Sequence, residues 1–200
     1  MENPIKEGPK YWIYSPEIPF QDRQELILLL KKSNLEKTES HYINGRWENI
    51  YISLSYVPHV KNILRVAGEM ANNIIEQQVI VPYKDLGYSH DEFWFNIAKP
   101  GQSTAWHNHK ENAVLSGVYY IDVPEKGGNI KFCQKTKDHK KEWVVQSITG
   151  RMIFFSSQLD HAVEKNEGNR DRISLAFNFF TLPLESSTDQ DDYSAAKYYS

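Results

Sequence analysis

Two histidines separated by a single residue mark the part of the sequence best suited to chemistry. His107 and His109 lie in the stretch Trp106-His107-Asn108-His109, after a turn at Pro100-Gly101 and before the apolar run 113–121. On an extended segment, residues two apart face the same side of the chain. Imidazole is a good ligand for first-row transition metals, so this pair predicts one half of a metal site.

A third histidine, His161, follows another apolar segment, residues 151–155. We expect the chain to bring His161 to the pair, so that the three share one metal ion. A lone histidine is more often structural or exposed than a ligand. We therefore assign no metal role to the remaining histidines, which are His41, His59, His90 and His139.

The elements that must position these residues are mainly strands. From residue 92 onward, short apolar segments alternate with turns and predict strands near 92–98, 103–109, 114–122, 129–134, 142–148, 151–156, 160–164 and 171–180. Eight short strands at this spacing are typical of an antiparallel barrel or jelly roll.

The first half of the chain predicts supporting elements. An aromatic patch at 11–14 indicates a strand, and a short helix is expected at 22–33. Asn44-Gly45 is a hairpin signal. A longer helix begins at Pro58, where apolar residues at helical spacing form one stripe that is typical of core. The expected fold class is mainly β with α, with the N-terminal helices packed on one sheet.

Composition limits the classes of partner. The net charge of −3 offers no basic surface for nucleic acid, and the longest aliphatic run, 26–30, is too short to cross a membrane. Residues 1–7 lack the apolar core of a secretion signal, and one cysteine, Cys133, is present. These features predict a cytoplasmic protein with Cys133 as a small core residue.

The glycines give the spacing of the two histidine segments. Gly101 precedes His107 by six positions, and Gly150 starts the segment that reaches His161. Over residues 92–180 this arrangement resembles the cupin and 2-oxoglutarate oxygenase superfamily. The resemblance implies a double-stranded β-helix (jelly-roll, cupin-like) barrel. We expect one oxygenase domain at 1–184, with its core at 92–180 and support from 1–91, followed by a polar tail at 185–200.

Arg172 and Ser174 indicate the branch of the superfamily. They lie two apart in a predicted strand and so should face the barrel interior together. A buried guanidinium needs an anionic partner, and it can bind a carboxylate through two parallel hydrogen bonds. The pair resembles the Arg-x-Ser motif with which iron/2-oxoglutarate-dependent oxygenases hold the distal carboxylate of 2-oxoglutarate. Arg170 is a rival anchor if the register of the loop differs.

Two further residues are implied to contact the cosubstrate. Ser116-Gly117-Val118-Tyr119-Tyr120 is similar to the segment after the metal motif in prolyl-hydroxylase-like enzymes, in which the second tyrosine reaches the 2-oxoglutarate carboxylate. By position that residue is Tyr120. With Phe93-Trp94-Phe95-Asn96 before the histidines, the chain looks closer still to small 2-oxoglutarate/iron oxygenases of bacteria and phages. Asn96 is expected to line the same pocket.

The histidine pair departs from the usual pattern of the superfamily. Most members use His-x-Asp or His-x-Glu and a distant histidine. One ligand set is His107, His109 and His161. The other shifts by two residues to His109, Glu111 and His161. The glycine spacing and the Trp-His start favour the first set, and ordinary ligand chemistry favours the second.

The resemblance implies a reaction. Fe(II) and the cosubstrate 2-oxoglutarate would activate molecular oxygen to hydroxylate an organic substrate, with release of succinate and CO2 and with ascorbate as an added reductant. The substrate would be a peptide or protein, with prolyl residues favoured by the strand pattern, or a small molecule. The alternatives are a metal-dependent cupin enzyme without 2-oxoglutarate and a non-catalytic binding module on the same barrel.

Overall fold

The computed structural model describes residues 4–8, 10–32, 34–109, 112–136 and 139–182. Within them lie two α-helices, α1 (Phe20–Leu30) and α2 (His59–Ile75), and a 3-10 turn at Lys84–Leu86. The strands are β1 (Ile5–Gly8), β2 (Tyr11–Tyr14), β3 (Thr38–Ile43), β4 (Arg46–Tyr51), β5 (Val79–Ile80), β6 (Phe93–Ala98), β7 (Thr104–His107), β8 (Leu115–Asp122), β9 (Ile130–Lys135), β10 (Lys140–Val145), β11 (Met152–Phe155), β12 (Asp160–Val163) and β13 (Arg172–Thr181).

The eight strands predicted from residue 92 onward are confirmed as β6 to β13. The predicted hairpin is β3–β4, and it turns at Asn44 and Gly45 with φ of 51° and 80°. Two successive positive φ angles are those of a type I′ turn, which suits the twist of paired strands. The predicted tail at 185–200 lies outside the described residues.

The strands form two separate antiparallel sheets. The nine-stranded major sheet has the order β1-β2-β11-β8-β13-β6-β4-β3, with β5 paired to β13. The four-stranded minor sheet has the order β10-β9-β12-β7, so that β7 is an edge strand. The expected double-stranded β-helix is therefore confirmed, with one correction to the predicted barrel. It is an open pair of sheets and not a closed barrel, because no described strand hydrogen-bonds across from one sheet to the other.

Both helices cover one face of the major sheet. α2 buries the apolar stripe that the sequence predicts, from Val60 to Ala71. This stripe shares a cluster with Leu26 of α1 and with the rings of Phe154 and Phe177 from the sheet. The helices are thus supporting elements on the side away from the histidines. Of the described helices, none is long and apolar enough to span a membrane.

The other face of the major sheet packs against the minor sheet. Successive residues of β11 face opposite sides of the major sheet. Phe154 packs on the helix side, whereas Phe155 packs with Phe132 between the sheets. β8 divides in the same way, with Tyr119 on the helix side and Tyr120 between the sheets. The space between the sheets is where strands from both can present polar side chains to one another. Cys133 in β9 is buried, as predicted for a small core residue.

Gly117 gives the first testable prediction, which concerns stability. A Cβ at Gly117 would lie 2.2 Å from Cε2 of Phe177, a fully buried ring on the neighbouring strand. Gly117→Ala is therefore expected to lower the free energy of unfolding by about 1–3 kcal/mol, as other overpacked cores do. Urea unfolding followed by circular dichroism would measure the change.

The matched control is Gly68→Ala in α2, because a Cβ there meets nothing within 4 Å. This substitution is expected to leave stability unchanged or to raise it by up to about 1 kcal/mol, the difference between glycine and alanine in a helix. Equal stability of the Gly117→Ala protein and the unchanged protein would contradict the packing described.

Candidate metal centre

Antiparallel pairing of β7 with β12 places two of the three histidines opposite one another. His107 and His161 are direct partners in the ladder. His109 follows β7 by two residues and is held by a hydrogen bond from its backbone N–H to the carbonyl of Ser157 (2.9 Å). As predicted, the structure brings the three imidazoles together, with one ligand nitrogen from each lying within 4.8 Å of the others.

The three rings form a compact group with graded exposure. Their centroids are 4.2 Å apart for His107 and His161, 4.8 Å for His109 and His161, and 5.5 Å for His107 and His109. His161 is buried, His109 is half-buried and His107 is exposed. The buried ring of Phe155 packs against His161 at 4.6 Å between centroids. One side of the group is therefore closed by apolar packing and the other is open.

Hydrogen bonds to carbonyls fix which nitrogen faces the centre in two of the rings. Nδ1 of His107 lies 2.8 Å from the carbonyl oxygen of Ala105, and Nδ1 of His161 lies 2.9 Å from that of Leu159. A carbonyl oxygen only accepts, so Nδ1–H must donate in both rings. The lone pair of each neutral ring is then on Nε2, the nitrogen left for a metal. Nδ1 of His109 contacts a hydroxyl instead, Oγ of Ser116, at 2.6 Å.

Burial keeps two of the rings neutral. Desolvation lowers the pKa of His109 to about 4, with a smaller lowering from His107 and an opposing contribution from the nearby amide of Asn178. Burial also lowers the pKa of His161 well below its ordinary value, and the neighbouring histidines add to this. A metal binds the neutral imidazole, so these rings need not lose a proton at neutral pH before they coordinate one.

Two cavities meet at the histidines. The outer cavity has a volume of about 530 Å³ and is lined by His107, His109 and the aromatic side chains of Tyr51, Trp94 and Trp106, among others. The inner cavity contacts all three histidines and extends between the sheets. It is lined further on by Tyr120, Arg172, Ser174, Asn96 and Gly117. A metal at the three imidazoles would face both cavities.

Arg172 occupies the far end of the inner cavity, where the sequence predicted an anchor. It is 1% exposed, and burial lowers its pKa. Its Nη1 donates to the carbonyl oxygens of Gly127 (2.7 Å) and Glu164 (3.0 Å). Among the described residues, neither Nε nor Nη2 has an acceptor and no carboxylate pairs with the guanidinium. A buried guanidinium without a carboxylate partner is costly, so an anion bound in the cavity would stabilise it.

Tyr120 and Ser174 lie beside Arg172, as expected from strand parity. They are direct partners across β8 and β13 and so share the inner face of the major sheet. The Tyr120 hydroxyl is buried and has no hydrogen-bond partner among the described residues, and burial raises the pKa of this phenol. This orphaned donor adds to the anion-binding capacity of the inner cavity.

Asn96 lines the inner cavity as predicted, but its amide is used within the protein. Its Nδ2 donates to the carbonyl oxygen of Glu48 (3.0 Å), and its Oδ1 accepts from Arg46 Nη1 (3.3 Å). Asn96 therefore joins β6 to β4, and its contact with a ligand stays a prediction.

Sequence reasoning missed a buried pair, Arg46 and Glu48, of which Glu48 lines the inner cavity. Their side chains are 5% and 7% exposed and approach to 3.5 Å. The five N–H donors of Arg46 are all directed to other atoms, so one oxygen of Glu48 is buried without a hydrogen bond. The acceptors of Arg46 are Ser103 O, Asn96 Oδ1, Ile97 O and Thr104 Oγ1. In the sequence, Arg46 and Glu48 alternate in a polar hairpin strand, and this pattern does not indicate that they form a buried ion pair.

Those of the remaining candidates that the structure describes fall outside the group. Glu111, the alternative ligand, is not among the described residues. Arg170, the rival anchor, is exposed and pairs with Asp122. His41 and His90 line the outer cavity, and His59 pairs with Glu25 on the helix side of the molecule. Of the described histidines, cysteines and acidic residues, only the three predicted histidines form a group suited to a metal.

Comparison with known proteins agrees with this geometry. Residues 92–178 match the family described as "Putative 2OG-Fe(II) oxygenase". That segment contains the three histidines, Arg172, Ser174, Tyr120 and Asn96. No protein with a curated description matches the chain.

Several solved structures share the fold. The α-ketoglutarate-dependent epimerase SnoN from nogalamycin biosynthesis, solved with Fe3+ and α-ketoglutarate, has a TM-score of 0.63 at 11% identity, covering 92% of this chain and 89% of that one. The carbocyclase SnoK from the same biosynthesis gives 0.63 at 11%, covering 86% and 79%. A prolyl-4-hydroxylase of Pseudomonas putida gives 0.57 at 16%, covering 86% and 92%.

Proposed function

We propose that the chain, whose residues 92–178 match the 2-oxoglutarate/Fe(II) oxygenase family, hydroxylates an organic substrate with consumption of 2-oxoglutarate and oxygen. The observation that carries the proposal is the inner cavity. It has three imidazoles at one end and, at the other, a buried guanidinium without a carboxylate partner among the described residues. A dicarboxylic acid that spans such a cavity can meet a metal with one end and a cation with the other.

His107, His109 and His161 are the residues that would hold Fe(II). The fit rests on the donor set, since imidazole suits iron and two rings present Nε2 while Nδ1–H donates to a carbonyl. Bound there, Fe(II) with 2-oxoglutarate and oxygen supplies the oxidation of a C–H bond, with succinate and CO2 as products. The protein orients the reactants and limits side reactions of the cofactor.

Arg172, Ser174 and Tyr120 are the residues that would orient 2-oxoglutarate. Arg172 keeps Nε and Nη2 for a carboxylate, because its Nη1 is used by two backbone carbonyls. The Tyr120 hydroxyl is buried without a partner in the described part of the chain and can donate to the same carboxylate. A bound carboxylate would thus satisfy groups that are otherwise costly to bury.

The outer cavity is the proposed substrate site, because it reaches His107 and His109 from the open side. Its aromatic rings offer flat apolar surface for an aliphatic group such as a prolyl ring. The first candidate substrate is a proline-containing peptide, and a small molecule of similar size is the second. The two alternative functions, a cupin enzyme without 2-oxoglutarate and a binding module, do not explain why Arg172 is buried without a carboxylate partner among the described residues.

The experiment that tests the function is incubation with Fe(II), ascorbate, 2-oxoglutarate and oxygen, followed by mass spectrometry for succinate. We expect succinate to form and to require each of Fe(II), 2-oxoglutarate and oxygen, even without a substrate, because uncoupled turnover is slow but measurable. The control is the same mixture without oxygen. Metal binding without any succinate would contradict the proposal and favour a binding module.

The substrate is tested separately with a library of proline-containing peptides. We expect a substrate to increase succinate release and to gain the mass of one oxygen atom. A library in which proline is replaced by alanine is the control. Stimulation of succinate release by both libraries to the same extent would contradict proline as the reacting residue.

A further inference from the structure

A chain of buried hydrogen bonds extends from His109 away from the metal centre. Ser116 is fully buried, and its hydroxyl lies 2.6 Å from His109 Nδ1 and 2.8 Å from Asn178 Oδ1. The amide nitrogen of Asn178 lies 3.1 Å from Glu92 Oε2. Asn178 and Glu92 are 4% and 5% exposed and lie in the wall of the outer cavity. We call Glu92, Asn178 and Ser116 the relay.

The direction of each hydrogen bond follows from the donor inventory. The carboxylate of Glu92 accepts, so Asn178 must turn its NH2 group to Glu92 and its Oδ1 to Ser116. Oδ1 also only accepts, so the single O–H of Ser116 donates to Asn178. Ser116 then has only lone pairs for its other neighbours. His109 must therefore donate from Nδ1, which leaves the lone pair of its neutral ring on Nε2.

We propose that the relay of Glu92, Asn178 and Ser116 fixes the tautomer of His109 and thereby makes its Nε2 a metal ligand. These three are positioning residues, and the inference rests on the proposed metal site. They do for His109 what the backbone carbonyls of Ala105 and Leu159 do for His107 and His161. A side-chain relay is needed at His109 because its Nδ1 meets a hydroxyl, which by itself can donate or accept.

The relay also accounts for an imidazole where most of the superfamily has a carboxylate. A carboxylate at position 109 would accept hydrogen bonds, so it would require Ser116 to donate. The Ser116 hydroxyl instead donates its hydrogen bond to Asn178 Oδ1, because Glu92 holds the Asn178 amide in the orientation that presents Oδ1 to Ser116. The buried polar groups around position 109 are thus arranged for a hydrogen-bond donor, as the Nδ1–H of an imidazole is.

The first test is the tautomer of His109 in the metal-free protein, read from the nitrogen chemical shifts of its ring by NMR. We expect Nδ1 to carry the proton in the unchanged protein. In Asn178→Ala, Ser116 is released to donate to Nδ1, so a substantial fraction should carry the proton on Nε2. A proton on Nε2 of His109 in the unchanged protein would overturn the proposal, whatever the enzyme's activity.

The second test is metal affinity, measured by titration with Co(II) and its visible absorption. Asn178→Ala and Ser116→Ala are each expected to bind roughly 10- to 100-fold more weakly, the range for partners that orient a metal ligand. The double variant Glu92→Gln with Asn178→Asp exchanges amide and carboxylate but keeps an acceptor toward Ser116. It should recover most of the affinity that Asn178→Ala loses.

The matched control is Ser157→Ala. Ser157 is 1% exposed and its hydroxyl lies 2.8 Å from Ser116 Oγ, so the change equals Ser116→Ala in size and burial. It leaves the acceptor of His109 in place and should weaken Co(II) binding much less. Equal losses in Ser157→Ala and Ser116→Ala, or full affinity in Asn178→Ala, would contradict the relay. Absence of succinate with intact Co(II) binding would instead contradict only the proposed reaction.

Discussion

Arg172→Ala protein is expected to lose 2-oxoglutarate turnover at cosubstrate concentrations that saturate the unchanged protein. The guanidinium is 1% exposed and has no carboxylate partner among the described residues, so the cosubstrate would supply its only counter-charge there. Loss of one member of a buried charge pair costs about 3–4 kcal/mol, or roughly 150- to 1,000-fold in affinity. Calorimetric titration of the Co(II)-loaded protein with 2-oxoglutarate would measure it.

The matched control is Arg170→Ala, two residues away. Arg170 is exposed and pairs with Asp122 at the surface, so its removal should change 2-oxoglutarate affinity by less than about twofold. Arg172→Lys keeps the positive charge but cannot form two parallel hydrogen bonds to a carboxylate, so its 2-oxoglutarate affinity should lie between those of the two alanine variants. A loss confined to Arg170→Ala would make Arg170 the anchor. Full affinity in both alanine variants would contradict a guanidinium anchor at either position.

His107→Ala is expected to weaken Fe(II) binding on the order of 100-fold or more and to abolish succinate formation. The reason is that His107 lies opposite His161 in the ladder. Its Nδ1–H donates to the Ala105 carbonyl, which leaves Nε2 free to bind the metal. Partners that only orient a ligand are worth 10- to 100-fold in affinity, and a ligand itself is worth more. Anaerobic titration with Fe(II) would measure the change.

Glu111→Ala separates the two ligand sets. If His107, His109 and His161 bind the metal, this variant should retain Fe(II) affinity within about twofold, since a carboxylate that is not a ligand contributes little. Retained affinity in His107→Ala together with a large loss in Glu111→Ala would establish the shifted set of His109, Glu111 and His161. His139→Ala, which removes a ring that the sequence assigns no metal role, controls for non-specific loss of histidine.

Most of the fold was predictable because local patterns and the tertiary structure agree. The α2 stripe is buried as its period requires, and alternation sets the two faces of β8 and β11. Strand parity alone placed Arg172 and Ser174 on the inner face. β5 could not be predicted, because two residues paired to the end of β13 carry no period. The sequence also could not predict that the two sheets stay open, since closure into a barrel depends on pairing between distant strand edges.

The parts of the site that sequence reasoning missed are those that depend on long-range polar contacts. Ser116 and Asn178 are hydrogen-bonded across neighbouring strands, but in the sequence each looks like an ordinary polar residue in an apolar strand. Arg46 and Glu48 alternate in a hairpin and could equally have faced solvent. Only tertiary packing buries both side chains and places Glu48 in the wall of the inner cavity. A metal motif has fixed spacing, whereas the residues that orient its ligands do not.

The edge position of β7 has a mechanical consequence. β7 is four residues long, pairs only with β12 in the described structure, and carries His107 opposite His161. An ion shared by these two rings would cross-link the outermost strand of the minor sheet to its neighbour. Iron loading would then protect the amides of β7 from hydrogen exchange more than those of the interior strands. The ion proposed for catalysis would thus also stabilise the edge of the minor sheet.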